Sequence, residues 1–411
     1  MQTDTTAGDV ISNAELEAIE ADLRADESSF LADLERLVNI DCGSYTPKGV
    51  DEIGRFVAGF LADIGAEVEA RPDPEQRLGS TIVGHLRGEP GAGPRLLLIG
   101  HMDTVFDEGT AAERPCRVDG ERAHGPGVTD MKSGLLAGLY ALRALARHGA
   151  LPFERISFVA NPDEEIGSPS STPHIREFAA DSDACLVLEC ARANGDIVSS
   201  RKGILDARIT VHGRAAHAGV EPEKGRSAIV AAADLVSRFH GLNGRWDGVT
   251  VNVGVIGGGT RPNVVAERCT LEVDVRAVRR EDLEAAETEI RASLARLVVA
   301  DTSADLEPMA RWWPMEKLER SGRLVDHAKA LATRLGFDID DAATGGASDA
   351  NTTAGMGVPS IDGLGPIGGM DHSPEEYLEV ESIVPRTALL AALILAIGRD
   401  AVVAAWRAEA R

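Results

Sequence analysis

Cysteine is scarce in this chain, and its spacing provides no recognisable redox or metal motif. The 411 residues include only 5 cysteines, and none of them forms a CxxC pair. An odd number of unpaired thiols is typical of reduced cysteines in a cytoplasm, so we expect a cytoplasmic protein without a disulfide framework. The thiols belong to Cys42, Cys116, Cys185, Cys190 and Cys269.

Positive charge and long apolar runs are also scarce. Lys and Arg total 42 against 66 Asp and Glu, which gives a formal net charge of −24. So acidic a chain is a poor partner for nucleic acid or for an anionic membrane, and we expect neither. The N-terminal sequence MQTDTTAGDVISNAELEAIE lacks the basic start and apolar core of a signal peptide. The longest apolar run, ALLAALILAI, is too short to span a bilayer and predicts a core helix.

The first half of the chain alternates helical and strand-like segments. A capping box at Ser12 and Glu15 begins a helix that reaches about Ile40, and a second helical pattern covers residues 50–64. The runs RLLLIGHMD, RISFVANPD and ACLVLEC are apolar on both faces of the predicted strands. This pattern predicts an α/β fold with a mainly parallel mixed sheet and helices on both of its faces.

The middle of the chain has a different pattern. ILDARITVHG alternates with Leu205, Ala207, Ile209 and Val211 on one face, and ERCTLEVDVRAV repeats the alternation. The order strand-helix-strand-strand-helix-strand is typical of a ferredoxin-like α+β domain. We therefore predict a larger domain formed by residues 1–199 and 314–411, into which a smaller domain of residues 200–313 is inserted.

Side chains with metal-binding chemistry follow several of the predicted strands. In an open α/β sheet the functional crevice lies at the carboxyl ends of the strands, so these residues can converge. Imidazole and carboxylate ligands together are typical of a divalent-metal site, and the imidazoles favour zinc. The candidates are His101 and Asp103 in GHMD, Asp130 in GPGVTDMKSG, the acidic cluster Asp163, Glu164 and Glu165, Glu189 in LEC, and His372 in MDHS.

A series of motifs resembles those of the co-catalytic zinc metallopeptidases. They are, in chain order, GHMDTV, GPGVTDMKSG, DEEIGS, LEC, HGRAAHAG, RPNVVAERCTLEVDVR, TGGASDA and MDHS, and they extend over roughly residues 30 to 400. That family includes glutamate carboxypeptidases, aminoacylases, acetylornithine deacetylases and succinyl-diaminopimelate desuccinylases. The resemblance is closest to the bacterial glutamate carboxypeptidase branch, and it implies a metal-dependent amide hydrolase.

The resemblance implies two Zn²⁺ ions per subunit, for which Co²⁺ or Mn²⁺ can substitute. Asp130 would bridge the two ions. His101 and Glu189 would complete the coordination of one ion. Glu165 and His372 would complete the coordination of the other.

The residues beside these ligands have implied roles as well. Asp103 would accept a hydrogen bond from the second ring nitrogen of His101. Glu164 would be the general base that takes a proton from the attacking water and passes it to the leaving amine. Asp163 is expected to be solvated or to stabilise the turn. The peptide bond after the bridging aspartate would be cis.

Four residues on the substrate side are implied in the same way. His217 in HAG would donate to the oxyanion in the site of a partner subunit, which implies a homodimer built through the inserted domain. Asn263 and Arg276 would hold the carboxylate of the substrate, and Thr344 would lie in a substrate-side loop. The alternatives are that His217 is a surface histidine of a loop and that Arg276 lies on a solvated strand face.

Two positions depart from the glutamate-specific pattern. Ile197 stands where a Lys is expected, and Trp312 and Trp313 replace a basic residue just before Pro314. The missing cations weaken the case for a glutamate side chain in the substrate. The two tryptophans either line a pocket for a larger or apolar group or pack at the junction between the domains.

The sequence therefore predicts a zinc-dependent hydrolase that cleaves an amide bond and releases a C-terminal amino acid, as a carboxypeptidase or an N-acyl-amino-acid hydrolase. The alternative is a deacylase of a small N-acyl metabolite of the acetylornithine or succinyl-diaminopimelate type. A rival of another class is a binding protein that kept the fold without catalysis. The complete set of predicted ligands together with Glu164 argues against that rival.

Overall fold

Helices and strands alternate along the chain, as the sequence pattern predicts. The structure is a computed structural model, and it describes residues 10–91, 93–149 and 151–409. The α-helices within these residues are α1 (Asn13–Val38), α2 (Pro47–Asp63), α3 (Thr110–Glu113), α4 (Ser133–Arg147), α5 (Thr172–Ala179), α6 (Ala228–His240), α7 (Arg280–Leu294), α8 (Glu319–Arg334), α9 (Asp349–Gly355), α10 (Ile383–Arg399) and α11 (Ala401–Glu409).

The strands belong to separate sheets. They are β1 (Glu67–Arg71), β2 (Thr81–Arg87), β3 (Arg95–His101), β4 (Arg117–Asp119), β5 (Arg122–His124), β6 (Arg155–Asn161), β7 (Ala184–Val187), β8 (Ile197–Arg201), β9 (Gly203–His212), β10 (Thr250–Gly258), β11 (Arg268–Ala277), β12 (Ser303–Trp312), β13 (Asp341–Thr344), β14 (Ser360–Ile361), β15 (Gly368–Gly369) and β16 (Tyr377–Glu379).

The chain divides into two compact units. The larger unit runs to Ser199 and also includes Lys317–Ala343 and the chain from Ser348 onward; the smaller unit is Ser200–Glu316 with Thr344–Ala347. The loop 344–347, which the sequence assigned to the larger domain, thus groups with the smaller unit. Its assignment depends on contacts between distant parts of the chain, which sequence patterns do not reveal.

The larger unit is built on a mixed sheet of the order β1-β2-β6-β3-β7-β14. The strands β6, β3, β7 and β14 run parallel, whereas β1 and β2 are antiparallel to their neighbours. The consecutive residues 96–99 of β3 are all completely buried, so helices cover both faces of the sheet. The prediction of a mainly parallel mixed sheet with helices on both faces is confirmed.

The apolar C-terminal helix is a core element of the larger unit. Among the described residues, Val380–Arg399 is the one helix long and apolar enough to cross a membrane, and 83% of its most apolar window is buried inside the protein. The helix is longer than the run ALLAALILAI alone suggests. Its burial against α1, α4 and α8 nevertheless agrees with the predicted core helix.

A small antiparallel sheet of the order β15-β16-β5-β4 also belongs to the larger unit. β16 pairs with β5 from Tyr377 opposite His124 to Glu379 opposite Arg122. This pairing joins the C-terminal loop 370–376 to the segment that precedes α4. The metal-site candidates His372 and Asp130 lie in these two segments.

The smaller unit is an antiparallel sheet of the order β10-β11-β9-β12 with α6 and α7 packed on one face. Residues of β9 alternate between buried and half-buried, and Leu205, Ile209 and Val211 lie in the core with the inward residues of β11. The predicted ferredoxin-like order and its inward faces are confirmed. β10 is an edge strand of this sheet, with hydrogen bonding to β11 on one side.

Candidate metal centre and substrate-side residues

The predicted metal ligands lie at one edge of the parallel sheet. His101 is the last residue of β3, Glu165 lies in a short 3-10 turn after β6, and Glu189 follows β7 by two residues. Because β3, β6 and β7 run parallel, their carboxyl ends meet at the same edge. Asp130 lies in the turn Val128–Lys132 directly before α4.

Asp130 lies between two imidazoles. Its Oδ1 is 3.1 Å from His101 Nε2, and its Oδ2 is 3.1 Å from His372 Nε2. Each carboxylate oxygen therefore faces a different histidine, which is the arrangement that a bridging carboxylate requires. The Asp130–Met131 peptide bond is cis, as predicted.

Each of the other two predicted carboxylate ligands lies close to a different histidine. Glu165 Oε2 is 3.2 Å from His372 Nε2, and Glu189 Oε1 is 3.7 Å from His101 Nε2. The ligand atoms of His101, Asp130 and Glu165 also lie within 4.8 Å of one another, so both groups belong to one compact cluster.

The chemistry of this cluster fits divalent cations. Nitrogen and oxygen donors from two histidines and three carboxylates are ligands that zinc accepts. Within the described chain, Glu165 Oε1 is buried and has no hydrogen-bond partner, although a buried polar atom is normally satisfied. A cation at this position would satisfy the orphaned oxygen and offset the repulsion among the carboxylates.

The close packing of charged groups in this cluster shifts the pKa values of its two histidines and of Glu164. Hydrogen bonds to Asp130 and Glu165 raise the pKa of His372 to about 10. Burial lowers the pKa of His101, but Glu189, Asp103 and Asp130 outweigh it, and the net shift is upward. Burial raises the pKa of Glu164 well above its ordinary value.

Asp103 holds both the histidine and the acidic turn. The Nδ1 atom of His101 lies 3.0 Å from the main-chain oxygen of Asp103 and 3.4 Å from its carboxylate. The carboxylate instead accepts hydrogen bonds from the backbone N–H groups of Glu164 and Glu165 and from the hydroxyl of Ser44, at 3.1, 3.2 and 2.6 Å. The expected carboxylate–imidazole contact is thus longer than that to the main-chain oxygen.

The acidic turn Asp163–Gly167 presents two consecutive glutamates. On an extended strand, Glu164 and Glu165 would point to opposite faces, but the 3-10 turn Glu164–Ile166 interrupts the strand geometry. Gly167 ends the turn at φ +90°, a backbone conformation that favours glycine. Asp163 is buried rather than solvated, and its carboxylate accepts hydrogen bonds from Ser171 Oγ and the N–H of Ser170, both at 2.5 Å. Of the two expected roles for Asp163, the stabilisation of the turn is the observed one.

Two buried carboxylates beside the cluster were missed by the sequence analysis. Glu376 accepts hydrogen bonds from the backbone N–H groups of Gly127, Thr129 and Asp130, at 2.9, 2.9 and 3.1 Å. Burial raises the pKa of Glu376 to about 7. Its position in HSPEE, four residues after His372, was the only available signal.

The second missed residue is Asp349, the first residue of α9. Its carboxylate accepts hydrogen bonds from Asn161 Nδ2 at 2.8 Å and from Ser168 Oγ at 2.6 Å. Asn161 precedes the acidic turn and Ser168 follows it, so a single carboxylate ties both ends of the turn. Its position in the motif TGGASDA gave no indication of this contact.

The substrate-side candidates belong to the smaller unit. His217 is exposed and its Nδ1 accepts the N–H of Gly219 at 3.1 Å, while the N–H of Ala218 donates to the main-chain oxygen of Asn263 at 3.0 Å. These contacts place His217 and Asn263 in neighbouring loops.

Arg276 and Thr344 lie around the loop 344–347. Arg276 forms an ion pair with Asp274 and donates from Nη1 to the main-chain oxygen of Gly345 at 2.9 Å. The N–H of Lys202 donates to the main-chain oxygen of Thr344 at 3.1 Å. Thus Arg276 contacts the residue next to Thr344.

The two departures from the glutamate-specific pattern differ in their surroundings. Ile197 is completely buried in the core of the larger unit. Trp313 packs on the core of the smaller unit, and its ring lies beneath the guanidinium groups of Arg280 and Arg311, at 4.1 and 5.0 Å from the ring centroid. Both residues have packing partners of their own, which favours the packing interpretation of Trp313.

Known proteins match this chain over most of its length. The model of peptidase family M20/M25/M40 matches residues 97–396. Carboxypeptidase G2 of Pseudomonas sp. (strain RS-16) is 34% identical over 379 residues, covering 91% of this chain and 90% of that protein. An acetylornithine deacetylase of Edwardsiella ictaluri is 28% identical, covering 82% of this chain and 89% of that protein.

Solved structures share the fold. Aminopeptidase PepT from Bacillus cereus superimposes with a TM-score of 0.75 at 22% identity, covering 90% of this chain and 98% of that chain. The M20 metallo-carboxypeptidase Sso-CP2 from Sulfolobus solfataricus gives a TM-score of 0.69 at 14% identity, covering 90% and 99%. The chain therefore belongs to peptidase family M20/M25/M40 and is an enzyme of the peptidase and amidohydrolase type.

Proposed function

We propose that the protein is a zinc-dependent hydrolase that cleaves an amide bond to release a C-terminal amino acid, with Glu164 as its general base. The observation that carries this proposal is the contact of the two Asp130 oxygens with His101 and His372. The similarity to carboxypeptidase G2 supports the carboxypeptidase or N-acyl-amino-acid hydrolase direction.

Five side chains would hold the metal. Asp130 would bridge two ions, His101 and Glu189 would bind one, and Glu165 and His372 would bind the other. When bound, such ions lower the pKa of water towards neutrality and polarise a carbonyl group.

Glu164 is suited to proton transfer. It is 9% exposed, adjoins Glu165 in the same short turn, and its backbone N–H is fixed by Asp103. Burial raises the pKa of Glu164 above the ordinary value of a glutamate, and carboxylates are among the side chains that act as general bases. It would accept the proton of the attacking water and deliver it to the nitrogen of the leaving amine.

His217 is proposed to stabilise the oxyanion. Since its Nδ1 accepts a backbone N–H, the neutral ring in this contact carries its proton on Nε2. The Nε2–H group would donate to the carbonyl oxygen of the substrate as negative charge develops there. This role is implied by the resemblance to the co-catalytic zinc metallopeptidases, in which the corresponding histidine acts in the site of the partner subunit.

A homodimer through the smaller unit follows from that role. β10 is an edge strand of its sheet, and a strand at the edge of a sheet is a surface to which another chain can pair. Val255 and Ile256 on this strand are 53% and 52% exposed, so the edge presents two neighbouring apolar side chains that a partner strand could cover. An isologous dimer would pair these surfaces with each other.

Arg276 and Asn263 are proposed to bind the carboxylate of the released amino acid, and Thr344 is proposed to contact the substrate from its loop. A guanidinium group suits a carboxylate because it can donate two parallel hydrogen bonds. Its contact with the main-chain oxygen of Gly345 orients Arg276 beside the loop that carries Thr344.

A cytoplasmic location is proposed as well. All five cysteines are free in the structure, in agreement with reduced thiols. Neither nucleic acid nor a membrane is proposed as a partner, because the net charge is −24.

A second candidate is the deacylation of a small N-acyl metabolite. It is favoured by the similarity to an acetylornithine deacetylase and to a succinyl-diaminopimelate desuccinylase, at 28% and 27% identity. In that case the metabolite's own amine would be the leaving group.

The test is product analysis by mass spectrometry after the zinc-loaded protein is incubated with N-acyl amino acids and dipeptides. Release of the C-terminal amino acid supports the main proposal, and the preferred amino acid identifies the specificity. No release from this panel, together with deacylation of acetylornithine or succinyl-diaminopimelate, would replace it with the second candidate.

A further inference from the structure

Two aspartates face each other on the sheet of the smaller unit, and neither has an assigned role. Asp274 on β11 lies directly opposite Asp206 on β9 in the antiparallel register. Both occupy half-buried positions of strands whose alternate residues are buried in the core. Like charges directly opposite each other destabilise a sheet, so this pair needs a group that offsets its charge.

The nearest such group is Arg276, which is proposed above to bind the carboxylate of the substrate. Arg276 follows Asp274 by two residues, and side chains two residues apart on a strand point to the same face. Its Nε donates to the two carboxylate oxygens of Asp274 at 3.2 and 3.0 Å, and its Nη1 donates to the main-chain oxygen of Gly345 at 2.9 Å. These contacts hold the guanidinium group from two directions.

The described strands on either side of the pair place uncharged residues next to it. β10 places Asn252 opposite one aspartate, and β12 places Ala310 opposite the other. The next residues along the same face of β9 and β11 are Arg208 and Glu272, which lie opposite each other and form their own ion pair at 3.0 Å. The charge of the aspartate pair is therefore offset mainly by Arg276.

The two aspartates can share a proton. Burial raises the pKa of the Asp206 carboxyl, and the charge of Asp274 and a hydrogen bond between the two side chains raise this pKa further, whereas Arg276 lowers it. A protonated Asp206 donates to Asp274, and the pair then carries one negative charge, which the guanidinium group balances. When both aspartates are ionised, a second negative charge lies beside Arg276.

We propose that Asp274 is a positioning residue that holds Nε of Arg276 so that the Nη groups meet the carboxylate of the substrate, and that protonated Asp206 supports this arrangement. The inference rests on the proposed function, in which Arg276 binds that carboxylate. A guanidinium group is a planar fork that must face a carboxylate to donate two parallel hydrogen bonds, so its orientation matters as well as its charge. Each Nη carries two protons, so the contacts with Asp274 and Gly345 leave protons on both Nη groups for a ligand.

The first experiment measures kcat and KM of the zinc-loaded protein with N-acetyl-leucine, N-acetyl-phenylalanine and N-acetyl-glutamate. Asp274→Asn should raise KM about tenfold and change kcat little, because misplacing a substrate-binding group by about 1 Å can cost up to roughly a hundredfold. Glu272→Gln is the matched control, since Glu272 lies on the same strand and face but pairs with Arg208. It should leave KM unchanged.

An Arg276→Lys background separates orientation of the guanidinium group from a general effect on the sheet. The ammonium group of lysine is a point charge without Nε and without a planar fork. In that background, Asp274→Asn should change KM by less than about twofold, because the interaction that it removes is already absent. A further tenfold rise of KM would show that Asp274 does not act through Arg276 and would overturn the inference.

Asp206→Asn provides a readout that a purely structural role would not change. Asparagine can donate to Asp274 as the protonated aspartate does, but it cannot ionise. In the unchanged protein, KM should rise between about pH 5 and about pH 8, because ionised Asp206 repels the carboxylate of the substrate, which stays ionised throughout this range. The rise should be smaller in Asp206→Asn.

Two results would overturn the inference while the proposed function stands. One is an equal KM for Asp274→Asn and Glu272→Gln, and the other is an identical pH dependence of KM for Asp206→Asn and the unchanged protein. Absence of release from all three compounds refutes the proposed function itself. Release with an unchanged KM in Arg276→Ala refutes the carboxylate role of Arg276, and the positioning role of Asp274 with it.

Discussion

At the scale of single residues, the adjacent glutamates Glu164 and Glu165 have the same side chain but are proposed to have different roles. Glu165 Oε2 approaches His372 Nε2 at 3.2 Å, and its other oxygen is buried without a partner in the described chain. Glu164 is held through its backbone N–H by Asp103, and its pKa is raised by burial. This difference supports the proposed roles of Glu165 as a metal ligand and Glu164 as the base.

Glu164→Gln tests that separation. Glutamine keeps the volume of the side chain but cannot take up a proton, so kcat should fall by roughly 10²–10⁴-fold, the usual contribution of general acid–base catalysis. Metal analysis should give the same zinc content as the unchanged protein. Glu375→Gln, at an exposed glutamate in the loop of His372, is the control and should leave kcat intact. Full activity of Glu164→Gln would remove Glu164 as the base.

Glu376 is expected to position the bridging carboxylate. Its three hydrogen bonds fix the backbone of Gly127, Thr129 and Asp130, and removing them leaves buried N–H groups without a partner. Glu376→Ala should weaken zinc binding about 10- to 100-fold, as is usual for residues that orient metal ligands. Competition with a chelator measures this effect. An unchanged zinc affinity would contradict the positioning role.

At the scale of elements, the acidic turn is held from two sides. Asp103 accepts two of its backbone N–H groups, and Asp349 accepts hydrogen bonds from Asn161 and Ser168 at its two ends. The position of Glu164 and Glu165 thus depends on α9 as well as on the segment that directly follows β3.

Asp349→Ala removes the hydrogen bonds at both ends of the acidic turn but leaves the predicted metal ligands in place. The loss of kcat should therefore be larger than the loss of stability alone would cause. Thr353→Ala is the matched control, because Thr353 is buried in the same helix and bonds to Ser360 Oγ at 2.8 Å rather than to the turn. Activity and Tm would be measured for both variants. If the two lose activity in the same proportion to Tm, Asp349 has a purely structural role.

The raised pKa of Asp349 is expected to make the stability of the protein depend on pH. Burial raises the pKa of Asp349 from 3.8 to about 7, with the hydrogen bond from Ser168 acting in the opposite direction. A carboxyl with a raised folded-state pKa contributes stability below pH 4 and loses it as the pH rises through 7. In metal-free protein, Asp349→Asn should thus become more stable relative to the unchanged protein between pH 5 and pH 8. Calorimetric Tm values that shift in parallel would contradict this.

The sequence could predict elements whose signal is local. The apolar run before His101 predicted β3 and its strand-end histidine, and the alternation in residues 204–211 predicted the inward face of β9. Glu376 and Asp349 could not be found in this way, because they bond to residues 246 and 188 positions away, at Asp130 and Asn161. The grouping of the loop 344–347 with the smaller unit likewise depends on contacts that no local pattern encodes.

At the scale of the whole molecule, the proposed dimer makes each active site depend on two chains. Glu164 lies in the larger unit and His217 in the smaller unit. If His217 acts in the site of the partner subunit, the two residues that serve one site come from different chains. A chain in which one of these residues is replaced should then form an active site together with a partner chain that carries the intact residue.

Mixing two inactive variants tests this dependence. A heterodimer of Glu164→Gln and His217→Ala has one site with both residues replaced and one site with both intact. Since half of randomly paired dimers are heterodimers, the mixture should recover about a quarter of full activity after the subunits exchange. If His217 acts within its own chain, every site in the mixture lacks one residue, and no activity returns.

The recovery should also require the apolar edge of β10. Ile256→Asp places a charge on the exposed side chain of the edge strand, where an isologous interface would bring it close to its own copy. Introduced into both variants, it should prevent recovery and shift the protein to a monomer in analytical ultracentrifugation. Val298→Asp, at a 60% exposed apolar position of the smaller unit outside β10, is the matched control for charge alone. Full activity of an Ile256→Asp monomer in which Glu164 and His217 are both intact would show that His217 needs no partner, whereas loss of activity together with the dimer would tie catalysis to the β10 edge.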